Sequence, residues 1–285
     1  MILRLFSWFH ILTLLLPVGI VVGLYFLLRR RSPKVQDAVI LGLMLVNVLQ
    51  HYFKMFVWPH MWGEAFGIEE TAKNMCAFLI MFSPVFYLVR GVWRDFLTYV
   101  GTAAGLFALV YPIWFINADI LTWEFVRFFV CHALLMIASI LPVLLGRHKL
   151  SFRHFWKMGL CFLAGVTTIF LNWLCVMRVQ YGPDQLERIW KAMMAANPIW
   201  MMHPPAKGFG WVVELISWFS PGFLFDGDYA LPILWYAVPL WLGFTIVGFF
   251  VYWAVDREGA KTFFEKVKAI FVKIKDTFTP KTQEK

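Results

Sequence analysis

Charge is what this 285-residue chain has least of: Asp, Glu, Lys and Arg make up 15 %, against about 25 % in a soluble domain. Hydrophobic residues make up 61 %, and 30 Phe with 15 Trp leave more apolar surface than so few polar residues can cover. A water-soluble protein is therefore excluded, and no separate soluble domain is large enough to find. The 4 Cys show no CxxC spacing and the His no HxxxH spacing, so no zinc signature is present and no cofactor is expected. There is no internal repeat and no low-complexity tract. The net charge of +9 bears on membrane orientation and lipid contact, not on nucleic acid.

What is present is a series of long apolar runs. About 20 such residues cross a bilayer as a helix. Seven segments qualify, at roughly 6–28, 39–59, 75–90, 96–115, 125–145, 155–176 and 232–254. The first is too long for a cleaved signal peptide and is followed by RRRSPK, which resembles a stop-transfer flank. Lys and Arg set the topology. The first, third and fifth loops and the tail after residue 254 hold 18 of the 26. The loops at 60–74 and 116–124 hold only Lys73, with Glu64, Glu69, Glu70, Asp119 and Glu124. The expected fold is an all-α membrane protein, a seven-transmembrane-helix bundle with N-terminus out and C-terminus in. The basic inner side suits a plasma membrane.

Residues 1–255 form the membrane domain, and 177–231 is its long outer loop. That loop holds a short helix in DQLERIWKAMMAA and an interfacial or re-entrant piece in GFGWVVELISWFSPGF. Residues 256–285 form a basic tail. Phe263, Phe264, Val267, Ile270, Phe271, Ile274 and Phe278 recur there at helical spacing, with Lys261, Lys266, Lys268, Lys273 and Lys275 on the other face. Such an amphipathic cytoplasmic helix lies on anionic inner-leaflet lipid.

Polar groups inside a bilayer mark faces that meet protein or water. Asn47, Gln50, His51 and Lys54 form one stripe on the second segment. Cys161, Gly165, Thr168, Asn172 and Cys175 form another on the sixth, and Gly101 and Gly105 give the fourth a close-packing GxxxG face. The fifth carries Arg127, Cys131, His132 and Ser139, the first carries His10, and the third begins near Asn74 and Cys76. At 1.5 Å per residue, Cys76 falls near the outer mouth, His10 and Asn172 roughly 6–8 Å in, His132 roughly 10 Å and His51 roughly 12 Å. The shared depth points to one polar cavity open to the outer leaflet.

A thiol attacks as thiolate, an imidazole can take its proton, and a second His or Asn can orient that base. The chemistry this supports is acyl transfer on a membrane phospholipid. Each residue also has a plainer role. A lone Cys in a span is usually a small hydrophobe, a lone His or Asn usually joins helices, and Lys54 or Arg127 equally snorkel to the interface. Cys131 and Cys175 are packing residues or a disulfide pair. Three His with a carboxylate can bind zinc, but the spacing does not support it.

The residues also resemble the YwaF-like family of multipass membrane proteins, whose eukaryotic relative is an acyltransferase making polyunsaturated ether phospholipids. LFSWFHILTLLLP, LQHYFKMF, KNMCAFLIMFSPVFYL, TYVGTAAGLFALVYP, FFVCHALLMIASILPVL, FLNWLCVM and LPILWYAVPLWLGF carry the likeness in order. It differs from the family at Asn74, where a His is usual, at Ala77 and Ile113, and in an apparent insertion at 199–230. The resemblance implies a Cys76 nucleophile and a His132 base, supported by His51. His10, Asn172, Asn47, Lys54 and Arg127 would then contact the lipid substrate. Two alternatives stay open: a non-catalytic lipid-binding or transport protein, and a subunit that docks a protein partner through 199–230.

Overall fold

Helix forms at each of the seven apolar segments, even across Pro17, Pro84, Pro142 and Pro239, because a continuous apolar run must satisfy its backbone internally. The computed structural model describes residues 2–57, 71–112, 115–117, 119–197, 202, 214, 218 and 234–278, without the side chains of 54–57, 234–238 and 274–278. Helix α1 is Trp8–Leu28, capped by Ser7, whose hydroxyl accepts the His10 N–H. Helix α2 is Pro33–Val57 and α3 is Met75–Val89. The rod that follows joins α4 (Gly91–Phe96), a π-turn at Leu97–Gly101 and α5 (Thr102–Val110). Then come α6 (Trp123–Leu144), α7 (Lys157–Tyr181), α8 (Leu186–Ala196), α9 (Leu234–Val255) and α10 (Arg257–Phe278). Among the described residues there is no strand, only an isolated bridge between Ile2 and Asp119.

Three of these helices, α1, α6 and α7, are each long and apolar enough to cross a membrane, and α9 with its bent continuation α10 makes a fourth candidate. The chain is therefore a membrane protein. Several boundaries depart from the sequence expectation, among them the end of the rod at Val110 rather than 115. Helix α2 begins at Pro33 rather than 39, since proline suits the first helical position. The rod begins at Gly91 rather than 96. Arg90 and Gly91 both adopt left-handed φ, 62° and 60°, and reverse the chain within two residues. Helix α7 continues to Tyr181, into the expected outer loop, until Gly182 ends it at φ 89°. The expected short helix of that loop is α8, whose Ile189 and Met193 bury against Met177 of α7. The second expected piece lies outside the described residues except for Glu214 and Trp218.

The loop after α6 is held by three aspartates. Asp37 of α2 takes a bidentate pair from Arg147, at 2.6 and 3.0 Å, and a 2.6 Å bond from the Tyr87 hydroxyl. Arg94 lies 4.0 Å over the Tyr87 ring and donates to its carbonyl through Nε at 2.7 Å. Asp95 of α4, 1 % exposed, accepts the Ser151 N–H and His154 Nδ1–H, and His148 Nε2 stands 2.8 Å from it. Asp256, between α9 and α10, accepts the Phe152 and Gly259 N–H groups. These ties gather the α1–α2, α3–α4, α6–α7 and α9–α10 junctions at one end of the bundle. The other end joins Leu3 to Asn117 and residues 71–73 to α2 and α7.

Asp37 precedes the apolar part of α2. The hydrogen bond from Arg147 holds its carboxyl below the usual carboxylate range. A depressed folded value stabilises above the unfolded value, about pH 4, and that contribution is lost as pH falls through the folded value. Apparent melting of the protein in detergent should therefore favour the native chain over Asp37→Asn at pH 7. The difference should shrink as pH drops below about 4. An unchanged difference across that range would show that the carboxylate is not what holds the loop.

Candidate functional site

Cys76 sits in the first turn of α3, where Asn74 Oδ1 accepts the Ala77 N–H at 2.9 Å and starts the helix. The thiol is free and partly buried. It lies against the buried cluster that includes Leu79, Ile80, Cys131 and Leu135. Cys131, Cys161 and Cys175 are in no disulfide either, so the disulfide alternative for Cys131 and Cys175 does not hold.

His132, on α6, is one residue beyond Cys131 and 8 % exposed. Its Nδ1 lies 2.7 Å from the Phe128 carbonyl one turn earlier, and its ring lies 4.2 Å from the Phe128 ring. A carbonyl only accepts, so Nδ1 carries the proton and Nε2 presents the lone pair. That is the tautomer a general base needs. No hydrogen bond joins Cys76 to His132 among the described residues. Their two helices both adjoin α2 and touch each other. Asn47 makes one of those junctions specific, donating from Nδ2 to the Cys131 carbonyl at 3.0 Å while its Oδ1 accepts from Gln50.

Other expected residues go to different tasks. His51 Nε2 bonds the Thr71 carbonyl at 3.2 Å, and Asn172 Nδ2 donates to the Thr71 hydroxyl at 2.8 Å. Trp173 Nε1 donates to the Lys73 carbonyl at 2.9 Å. Helices α2 and α7 thus clamp the segment leading into Cys76, five residues before the thiol. His10 is fully buried and committed at both nitrogens: Nδ1 accepts the Phe6 N–H and Nε2 donates to the Leu109 carbonyl. It ties α1 to the end of α5. The Arg127 Nε is buried and has no hydrogen-bond partner among the described residues. The Lys54 side chain lies outside the described residues.

Among the described residues, the polar groups that share one depth are therefore spread over three junctions, each bonded chiefly to backbone. In a medium without water each polar group must find a partner, and the nearest backbone carbonyl or N–H usually provides it. A hollow of about 780 Å³ lies along α8, lined by Leu186, Glu187, Trp190, Lys191 and Met194, on an element that carries none of these residues. No group of three or more His, Cys, Asp or Glu side chains among the described residues is placed to hold a metal ion. Sequence reasoning missed Thr71, on which two helices converge, and the Phe128 carbonyl that sets the His132 tautomer. A backbone acceptor leaves no mark in residue identity.

The expected close-packing face of the fourth segment is present. A Cβ on Gly105 would come within 2.8 Å of the His132 carbonyl and 2.9 Å of the Met136 nitrogen. One on Gly101 would meet the Ser139 hydroxyl at 2.5 Å. Glycine alone lets the rod approach α6 at the turn bearing His132.

No curated protein and no solved structure matches the chain. A family model, described as the TMEM164 family, matches residues 5–247, which span α1 to most of α9 and include every site residue discussed above. With that match over most of its length, this multipass helical membrane protein belongs to the TMEM164 family.

Proposed function

We propose that this chain is a membrane acyltransferase or transacylase acting on phospholipids, with Cys76 as nucleophile and His132 as general base. In this reading all seven apolar helices cross the plasma membrane, with the N-terminus outside. The observation that carries it is the free Cys76 thiol at a helix N-terminus, set against the cluster that holds Cys131, one residue from His132. The single free lone pair on His132 Nε2, the resemblance to the YwaF-like family and membership of the TMEM164 family support it.

In the first half-reaction, Nε2 takes the thiol proton and sulfur bonds to the ester carbonyl carbon of the donor. The carbon–oxygen bond to the glycerol breaks, and the leaving alkoxide takes the proton back from the imidazolium. Cys76 is left as an acyl thioester. An acceptor hydroxyl then gives its proton to Nε2 and attacks the thioester, and the departing thiolate is reprotonated. His51 and Asn172 act as positioning residues through Thr71, and Asn47 positions α6 through the Cys131 carbonyl. Arg127, with its unpaired buried Nε, and Lys54 meet the lipid phosphate.

The test is mass spectrometry of the purified chain after incubation with phospholipid vesicles. The expected result is an acyl-mass adduct on the peptide containing Cys76, released by neutral hydroxylamine and missing from Cys76→Ala. An unmodified Cys76 together with unchanged vesicle lipids would end the proposal. A second reading, a non-catalytic lipid-binding protein, draws on the absence, among the described residues, of a hydrogen bond between Cys76 and His132, and on the ties of His10, His51 and Asn172 to Leu109 and Thr71. It expects Cys76→Ser to bind phospholipid as well as the native chain, with no thioester.

A further inference from the structure

Helix α10 follows α9 after a single residue, Asp256, and turns through 116° from it. A helix that ends a membrane crossing and then turns across it begins its new course at the membrane surface. The start of α10 is anchored. Ala260 is 1 % exposed, and the Phe263 ring lies 5.5 Å from Phe152 and 5.8 Å from Phe155 in the loop after α6. These contacts set which face of α10 turns toward the bundle.

The same face continues past the protein that covers it. At about 100° per residue, Ala260, Phe263, Phe264, Val267, Ile270 and Phe271 share one sector of the helix. Ile270 and Phe271 are 58 % and 67 % exposed. Arg257, Lys261 and Lys268 flank that sector on one side, and Lys266 and Lys273 on the other. Glu258 and Glu265 occupy the opposite pole. Cations border the apolar sector while acids are held farthest from it.

We propose that α10 is a docking surface for a phospholipid membrane rich in anionic headgroups, on the side where the loop after α6 and the tail emerge. Apolar side chains on the bundle-facing sector enter the acyl boundary, and the flanking lysines reach up to the phosphates along their alkyl stems. The acidic pole faces water, where it meets no lipid charge. A second copy of the chain fits this surface less well, since two such sectors face to face bring lysine rows together. The inference rests on the membrane character of the chain and not on acyl transfer.

The test uses the full chain in nanodiscs, one chain per disc, with hydrogen–deuterium exchange read over residues 261–273. Discs of phosphatidylcholine are compared with discs containing roughly 30 % phosphatidylserine. Exchange is expected to slow about fivefold in the anionic discs and to recover at about 0.5 M salt, where screening is short-ranged. The variant K261Q/K266Q/K268Q/K273Q should lose the difference while exchange in α6 stays native. Phe271→Ser should weaken protection in both lipids. Equal exchange in the two lipids overturns the proposal. So does protection that appears only in discs holding two chains, since a second copy would then be the occupant.

Discussion

Cys76→Ala is expected to lower phospholipid acyl transfer by at least about a thousandfold, because removing a covalent nucleophile removes the pathway and not merely a contact. Cys76 is only partly buried and makes no hydrogen bond among the described residues, so truncation to Ala should leave the fold in place. Cys76→Ser should be nearly as inactive, since a hydroxyl in that setting forms its anion far less readily than a thiol. The informative control is Cys131→Ala. Cys131 is a buried thiol in the same cluster, and its sulfur lies 3.9 Å from His132 Nδ1. That nitrogen already donates to the Phe128 carbonyl, so it cannot take a proton from Cys131. Its variant should retain most activity. Radiolabelled transfer between phospholipids in vesicles measures all three. Loss in Cys131→Ala with survival in Cys76→Ala would exchange the roles of the two cysteines.

Gly105→Leu is expected to destabilise the protein by about 3 kcal/mol or more and to abolish transfer. The Cβ alone would come within 2.8 Å of a backbone oxygen and 2.9 Å of a backbone nitrogen on α6, and neither can rotate away. Relief requires moving the rod from α6, and the atom displaced first is the carbonyl of His132 itself. Gly23→Ala is the matching control. It lies in α1 with nothing within 4 Å of its built Cβ, so it should stay within about 0.5 kcal/mol of the native chain. Apparent melting temperature and gel-filtration profile in detergent provide the stability readout. A Gly105→Leu protein that melts like the native chain would mean that this helix contact does not govern the fold.

Much of the architecture was legible in residue types. Apolar length marked α1, α2, α3, α5, α6, α7 and α9, and the GxxxG of the fourth segment marked a close approach that the packing at Gly101 and Gly105 contains. The basic loop residue Arg147 and the chain at 151–152 are held by Asp37, Asp95 and Asp256 at one end of the described bundle. The start of α4 was misplaced because Arg94 and Asp95 look like loop residues until their buried partners are known. The backbone partners of the polar stripes were hidden for a related reason. Helical spacing and depth place a side chain on a face and a level, but they do not say whether it turns to another side chain or to a carbonyl one turn away.

The sequence by itself determined that this protein lives in a bilayer as a bundle of helices with a basic amphipathic tail. Apolar length and charge placement act locally and additively, so residue identity is enough. Only the tertiary structure decided that His10 joins α1 to α5, that His51 and Asn172 clamp Thr71 ahead of Cys76, and that His132 offers Nε2 and not Nδ1. Each of those outcomes depends on a backbone group brought close by the packing of another segment or by the helix's own turn. Inside a membrane that is where an imidazole or an amide finds its bond.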